Sequence, residues 1–201
     1  IQLEPNNNNA QIKLALTHEL SGEEDMAVLV YKAIIEKYPQ YIPAMSNLAS
    51  LYIEQEDYKK AICLFKNILK VNDQYYRAFL GLGLCFDKMG KYIYATRFYK
   101  KYIDIKKTYL KISESSIGNI DDINYYLATA YYKQGETDKA LQAYDAIIAL
   151  RPEERDAYYL RGVIHAEKGN TEAALLNFDK TISLNPKDYD RLIDIYSVII
   201  R

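Results

Sequence analysis

Residues 27–31 read AVLVY, and the pattern returns as AICLF at 61–65, ATRFY at 95–99, ALQAY at 140–144 and ALLNF at 174–178. Each stretch pairs an alanine with an aromatic residue four positions on: Ala27 with Tyr31, Ala61 with Phe65, Ala95 with Tyr99, Ala140 with Tyr144, Ala174 with Phe178. That spacing stacks the two on one face of an α-helix. The steps from Ala27 to Ala61, from Ala61 to Ala95 and from Ala140 to Ala174 are each 34 residues, a length at which paired helices repeat and stack. The chain therefore reads as all-α, an array of helix pairs.

Working outward from these helices (B) gives five full repeats, 8–41, 42–75, 76–120, 121–154 and 155–188. In the preceding helix (A) a small residue recurs at Ala15, Ala49, Gly83, Ala128 and Gly162, where two backbones can meet. Leu14, Leu48, Leu82, Leu127 and Arg161 stand just before it, and His18, Tyr52, Phe86, Tyr131 and His165 three residues after it, all at packing positions on one face. Between A and B come Gly22, Gly90, Gly135 and Gly169, suited to a left-handed helix C-cap, with Glu56 in the second repeat instead. Helix B continues through Ile34, Ile68, Tyr102 and Ile147, with Thr181 in the last repeat, and Pro39, Pro152 and Pro186 close three of the repeats.

This set of small and large residues closely resembles the tetratricopeptide repeat, over nearly the whole chain. The resemblance implies an α-solenoid of antiparallel helix pairs in a right-handed superhelix, with the A helices lining a concave groove that holds a peptide or a partner helix. One pair cannot cover its own apolar face, so neighbouring pairs stack.

The register also reads the ends and one irregularity. Counting back from Pro39 by one repeat lands on Pro5, so residues 1–7 read as the tail of a preceding repeat, and 189–201 as a partial repeat or capping helix. With no initiator Met, the chain reads as a piece of a longer protein, with targeting signals outside it. From Tyr76 to Asp121 is 45 residues, 11 more than the standard step, or about three helical turns. Tyr102, Ile103, Ile105, Tyr109, Leu110 and Ile112 keep the helical period, so the third B helix is expected to run to about Ile112. Ser113–Asn119 then reads as a loop and Asn119 or Asp121 as the next cap. The insertion near 107–119 admits three readings: a tolerated length change, a protruding helix that offsets the halves or contacts a second copy, or a join between unrelated repeat segments.

Composition limits what the array can do. A net charge of −1 over 201 residues lacks the positive field of a general nucleic-acid binder. Lys100, Lys101, Lys106, Lys107 and Lys111 on the long B helix are expected to face solvent, and nucleic acid is not favoured as a partner. No apolar run is long enough to span a bilayer. Cys63 and Cys85 form no CxxC pair and read as free thiols in helices, which leans towards a reducing, cytoplasmic compartment without fixing it.

The resemblance also implies which A-helix positions face the groove. Among them are Ile12 and Leu16 in the first repeat, Ser46, Asn47 and Ser50 in the second, and Arg77, Leu80 and Leu84 in the third. The fourth contributes Tyr125, Thr129 and Tyr132, and the fifth Tyr159 and Val163. Glu19, Ile53, Glu54, Asp87, Lys88, Asp122, Lys133, Asp156, Ala166 and Glu167 share the same register. Family members that clamp a chaperone's C-terminal carboxylate use Lys, Asn, Asn, Lys and Arg. Here only Asn47 and loosely Arg77 match, while Ile12, Leu16 and Gly81 stand at other clamp positions. A chaperone tail is thus excluded as partner, in favour of a segment with apolar and aromatic side chains and some basic character. Of the 21 tyrosines, Tyr31, Tyr52, Tyr99, Tyr131 and Tyr144 read as core, whereas Tyr125, Tyr132 and Tyr159 can anchor a partner.

No catalytic constellation forms. His18 and His165 are the only histidines, and His18-Glu19 lacks a second histidine for a zinc helix. Gly81-Leu82-Gly83 follows no strand and suits close helix packing, and Glu23, Glu24 and Asp25 sit at a helix start, where the dipole favours them. No metal or cofactor is expected, and the chain is read as no enzyme. The expected role is a noncatalytic protein–protein interaction scaffold. The alternatives are a regulatory or targeting segment of a larger enzyme or receptor, or a module that self-assembles as a homo-oligomer.

Overall fold

The computed structural model describes residues 8–110 and 123–199, and among them the chain is α-helical, with eleven helices in sequence. The helices are α1 (Asn8–Leu20), α2 (Glu24–Lys37), α3 (Ile42–Glu54), α4 (Tyr58–Val71), α5 (Tyr76–Lys88), α6 (Tyr92–Leu110), α7 (Ile123–Lys133), α8 (Thr137–Leu150), α9 (Arg155–Glu167), α10 (Thr171–Leu184) and α11 (Tyr189–Ile199). The chain divides into two compact units, residues 1–106 and 107–201. In the first, α1 packs on α2, α2 on α3, α3 on α4 and α4 on α5; in the second, α7 packs on α8, α8 on α9, and α9 on both α10 and α11.

The repeated alanines and aromatics form the core. Ala27, Ala61, Ala95, Ala140 and Ala174 are buried, as are Tyr31, Phe65, Tyr99, Tyr144 and Phe178. Burying each such ring contributes on the order of 1.5–3 kcal/mol. Ile34, Ile68, Tyr102 and Ile147 are buried one turn further on, and so is Thr181, whose hydroxyl donates to the Asn177 carbonyl at 2.9 Å.

What meets the glycines of the A helices is a ring rather than a backbone. A Cβ on Gly83 would lie 2.3 Å from the Tyr99 ring, one on Gly162 2.6 Å from Phe178, and one on Gly81 2.2 Å from Phe65. Gly81 and Gly83 are therefore packing residues. Their missing side chains are the volume that the neighbouring aromatics fill.

The A-to-B turns share one backbone pattern. Gly22, Gly90, Gly135 and Gly169 all have positive φ, and Glu56 takes the same conformation at φ 59°. In the second repeat the Asp57 amide donates to the Tyr52 carbonyl at 2.8 Å, and in the third the Lys91 amide donates to that of Phe86 at 2.8 Å. Both close the turn as a Schellman cap does. Beside two of these turns a lysine on helix B lies over the aromatic residue of helix A, Lys60 over Tyr52 and Lys139 over Tyr131. Lys60 also pairs with Asp57, whose side chain caps α4 by accepting from the Lys60 amide at 3.2 Å.

Two expectations need correction. Leu14 stands at a packing position but is 38% exposed, on a helix whose main packing is against α2. Lys106 does not face solvent: it is 8% exposed, donates to the Tyr102 hydroxyl at 2.9 Å and lies over the Tyr76 and Tyr102 rings. It sits on α6 beyond Ile105, the register equivalent of the last residue of α4, Val71. The expected continuation to Ile112, the loop at Ser113–Asn119, the cap at Asn119 or Asp121, Lys111 and residues 1–7 lie outside the described residues.

Candidate functional site

In the first unit the A-helix face is set by α1, α3 and α5. Ile12 is half-buried against the core, while Leu16 is 39% and Leu20 91% exposed. These three are spaced four apart and form an apolar row along α1. On α3, Ser46 and Asn47 are half-buried and Ser50 is exposed; on α5, Arg77 is exposed and Leu80 and Leu84 are half-buried. The Tyr31 hydroxyl is pushed above its ordinary range, first by burial and then by the Glu19 carboxylate, with Asn47 acting in the opposite sense.

The second unit repeats that arrangement with more aromatic surface. Tyr125 on α7 meets the buried Tyr144 edge-on, with centroids 6.1 Å apart, and Tyr144 shares a hydrogen bond with Thr129 at 3.0 Å. Burial raises the pKa of Tyr125, Asp156 and Glu154 add to the shift, and the charge of Arg191 opposes it. Tyr132 donates to Glu167 Oε1 at 2.5 Å, joining α7 to α9, and burial with that carboxylate pushes its pKa up to about 12. Tyr132 therefore stays a neutral donor throughout the physiological range. On α9, Tyr159 packs on Phe178 and Val163 joins the same cluster.

Three residues that act at this face were not singled out from the sequence. Arg191 on α11 stacks on Tyr159, with Cζ 4.2 Å from the ring centroid, and donates to Asp156 Oδ1 at 3.0 Å. Glu154 and Arg151, an ion pair at 3.0 Å, line a cavity with Tyr125, Tyr126 and Asp156. The register held a signal for Arg191, because its equivalents Ala10, Ala44, Ala78, Ile123 and Ala157 are all apolar, and all but the half-buried Ala10 are buried.

Away from this face, a polar chain crosses α8, α9 and α10. Arg161 donates from Nε to Asn177 Oδ1 at 2.7 Å and from an Nη to Asp145 at 2.5 Å, while Asn177 Nδ2 donates to the Ala173 carbonyl at 2.7 Å. His18 pairs through Nδ1 with Glu23 at 2.6 Å. His165 is held below its ordinary pKa by burial and by Arg161. Cys85 is buried, which lifts its thiol to about 12, and Cys63 is exposed. Among the described residues no group of His, Cys, Asp and Glu is placed to hold a metal ion. No described helix is long and apolar enough to cross a membrane.

Tetratricopeptide-repeat family models match residues 9–41, 46–105 and 125–189. The chain belongs to the tetratricopeptide-repeat family. Among characterised relatives, the general transcriptional corepressor trfA of Dictyostelium discoideum is 26% identical over 148 residues, covering 72% of this chain and 10% of that protein. The PEX5-related protein of Mus musculus is 25% identical over 148 residues, covering 70% of this chain and 25% of that protein. The chain thus spans a quarter or less of the length of these relatives.

Among solved structures, MamA aligns with a TM-score of 0.74 at 21% identity, over 90% of this chain and 93% of that one. YrrB, described as a tetratricopeptide-repeat protein with an unusual peptide-binding site, aligns with a TM-score of 0.73 at 22% identity, over 92% and 89%. These likenesses establish the shared all-α fold of packed helix pairs. A tetratricopeptide array of this kind is a scaffold for protein interaction.

Proposed function

We propose that the chain is a noncatalytic scaffold in which the A-helix face of each unit, taken by itself, holds an extended or helical segment of a partner protein. The observation that carries the reading is the composition of these two faces. Exposed or half-exposed apolar and aromatic groups stand on rigid helices, namely Leu16 and Leu20 on α1, Leu80 and Leu84 on α5, Tyr132 on α7 and Tyr159 on α9. Their backbone is already ordered, so binding costs little conformational entropy beyond that of the partner. Carboxylates of Glu19, Glu54, Asp87, Asp156 and Glu167 share the register, which favours a partner segment that mixes apolar with basic residues. The peptide-binding site named for YrrB supports the same use of the fold.

The test is selection of peptides from a random displayed library on the full chain, followed by binding to two variants that keep native helical content. Leu16→Lys/Ser50→Lys/Tyr132→Ala alters the A-helix face. Leu29→Lys/Leu176→Lys alters B-helix leucines that are 59% and 71% exposed. The first variant is expected to weaken binding at least about tenfold, on the scale of one lost interface anchor, and the second to leave it unchanged. The reverse pattern would move the site to the B helices.

A second reading, that the array is the regulatory or targeting part of a longer protein, is favoured by the length of the relatives it matches. It uses the same surface. The reading frame around the gene decides it.

A further inference from the structure

In the second unit, Tyr159 packs on Phe178 at 6.2 Å and receives the guanidinium of Arg191, which stacks on its ring and donates to Asp156. The Arg191 amide donates to Asp188 Oδ1 at 3.1 Å, which anchors the start of α11 beside that site. One repeat earlier, 34 residues back in each case, Tyr159, Phe178, Asp188 and Arg191 become Tyr125, Tyr144, Glu154 and Ala157. The ring pair is preserved, since Tyr125 lies 6.1 Å from Tyr144. An acidic residue is preserved as well. The arginine is not: Ala157 is a buried methyl, and a cavity of about 300 Å³ lies beside Tyr125, lined by Tyr126, Arg151, Glu154 and Asp156.

We propose that this cavity is a guanidinium site, which takes an arginine side chain of the bound segment and does at Tyr125 what Arg191 does at Tyr159. The proposal rests on the A-helix face being the binding face and names one residue that the partner must supply. A guanidinium suits the site because it is planar, weakly hydrated and always charged, so it stacks on a tyrosine while forking to carboxylates. Glu154 and Asp156 are the acceptors. Glu154 already pairs with Arg151, and Asp156 with Arg191 at 3.0 Å and Arg155 at 3.6 Å, both through Oδ1; a carboxylate has lone pairs for more than one such donor, and Oδ2 of Asp156 takes no part in these pairs. A lysine brings the charge without the plane and fits less well.

The test uses the full chain carrying ¹³C-labelled tyrosine, titrated with N-acetyl-arginine methylamide and, in parallel, with the lysine and glutamate analogues. The arginine probe is expected to shift the Tyr125 ring signals saturably, with the lysine probe about tenfold weaker and the glutamate probe inert. Ala157→Arg plants in the fifth repeat the residue that position 191 carries in the sixth, so it should bring a guanidinium of the chain itself to Tyr125 and abolish the shift. If Ala157→Arg does not fold, Glu154→Gln decides, with an expected loss of about tenfold.

No shift at Tyr125, equal binding of the lysine probe, or binding of the glutamate probe through Arg151 would each overturn the proposal. Library peptides that bind through the A-helix face yet tolerate Arg→Lys at every position would refute the guanidinium site while leaving the scaffold reading intact. Loss of the scaffold reading would instead show as peptides indifferent to the A-helix variant.

Discussion

Replacing Glu56 by glycine should stabilise the protein. Glu56 closes the α3–α4 turn at φ 59°, the position that four other turns give to glycine at φ between 70° and 84°. The turn's hydrogen bonds match across repeats: the Glu56 amide donates to Ile53 at 3.0 Å and the Gly90 amide to Asp87 at 2.9 Å. The glutamate side chain is exposed, so its removal empties no packed volume. What changes is the Cβ, whose clash in the left-handed region costs about 1–2 kcal/mol. Glycine's greater freedom in the unfolded chain takes back about 0.5–1 kcal/mol.

The net gain is thus about 0.5–1 kcal/mol, or about 2 °C in Tm for a chain of this size. In urea the midpoint should rise by about 0.3 M at an unchanged m-value, and amide exchange should slow in α3 and α4. Gly135→Ala is the matched control. Its Cβ would meet nothing within 4 Å, yet φ is +84°, so a loss of about 1 kcal/mol there would be purely a backbone effect. An unchanged or lower midpoint for Glu56→Gly would refute the reasoning, because no packing term is available to hide the gain.

The polar chain through Arg161 gives another expectation. Arg161→Leu restores the leucine of the four other repeats but strands the Oδ1 of Asn177, a residue 4% exposed, and should cost about 1–3 kcal/mol in urea unfolding. Adding Asn177→Val, the residue at the equivalent position 30, should recover most of that loss. The pH dependence of stability follows from three aspartates held below their ordinary value of 3.8. For Asp57 and Asp138 the leading cause is a lysine, Lys60 and Lys168 respectively; for Asp188 it is the Arg191 amide. Lowered folded pKa values mean that these contributions are complete above the unfolded value near 4 and vanish as pH falls through the lower folded values. Urea midpoints should therefore fall below about pH 4, after a first decline below about pH 6.5 from His165, whose lowered folded pKa makes its protonation favour the unfolded chain, and Lys168→Met should flatten part of the fall below pH 4.

The helices were legible because a solenoid writes the same contact several times. An alanine and an aromatic residue four apart identify helix B even where the intervening residues differ as much as VLV and TRF, since only the inward pair is constrained. Glu56 could be recognised as a glycine position by register alone, and its φ is that of the glycines. Leu14 could not, because register names a packing position without saying whether a neighbour covers it. Lys106 was misread for a related reason. It lies past the end of the standard repeat, where no equivalent residue reports which way the helix faces, and Tyr76 and Tyr102 turn out to accept its ammonium.

The candidate face was legible in the same partial way. Register names Tyr125, Tyr132 and Tyr159 as a set, yet their surroundings differ: Tyr132 is tied to Glu167, Tyr159 is covered by Arg191, and Tyr125 borders a cavity. These differences come from residues that break the repeat. Arg161 stands where leucine recurs, and Arg191 where small or β-branched apolar residues recur. A residue that keeps the register is explained by stacking alone, since any array of helix pairs needs it. A charged residue that breaks the register must find a partner or forfeit several kcal/mol of solvation, and the partner it finds marks chemistry that the fold itself does not require. Arg191 finds Tyr159 and Asp156, which is why the place where Ala157 keeps the register, and the matching ring borders a cavity instead, points to a side chain supplied from outside.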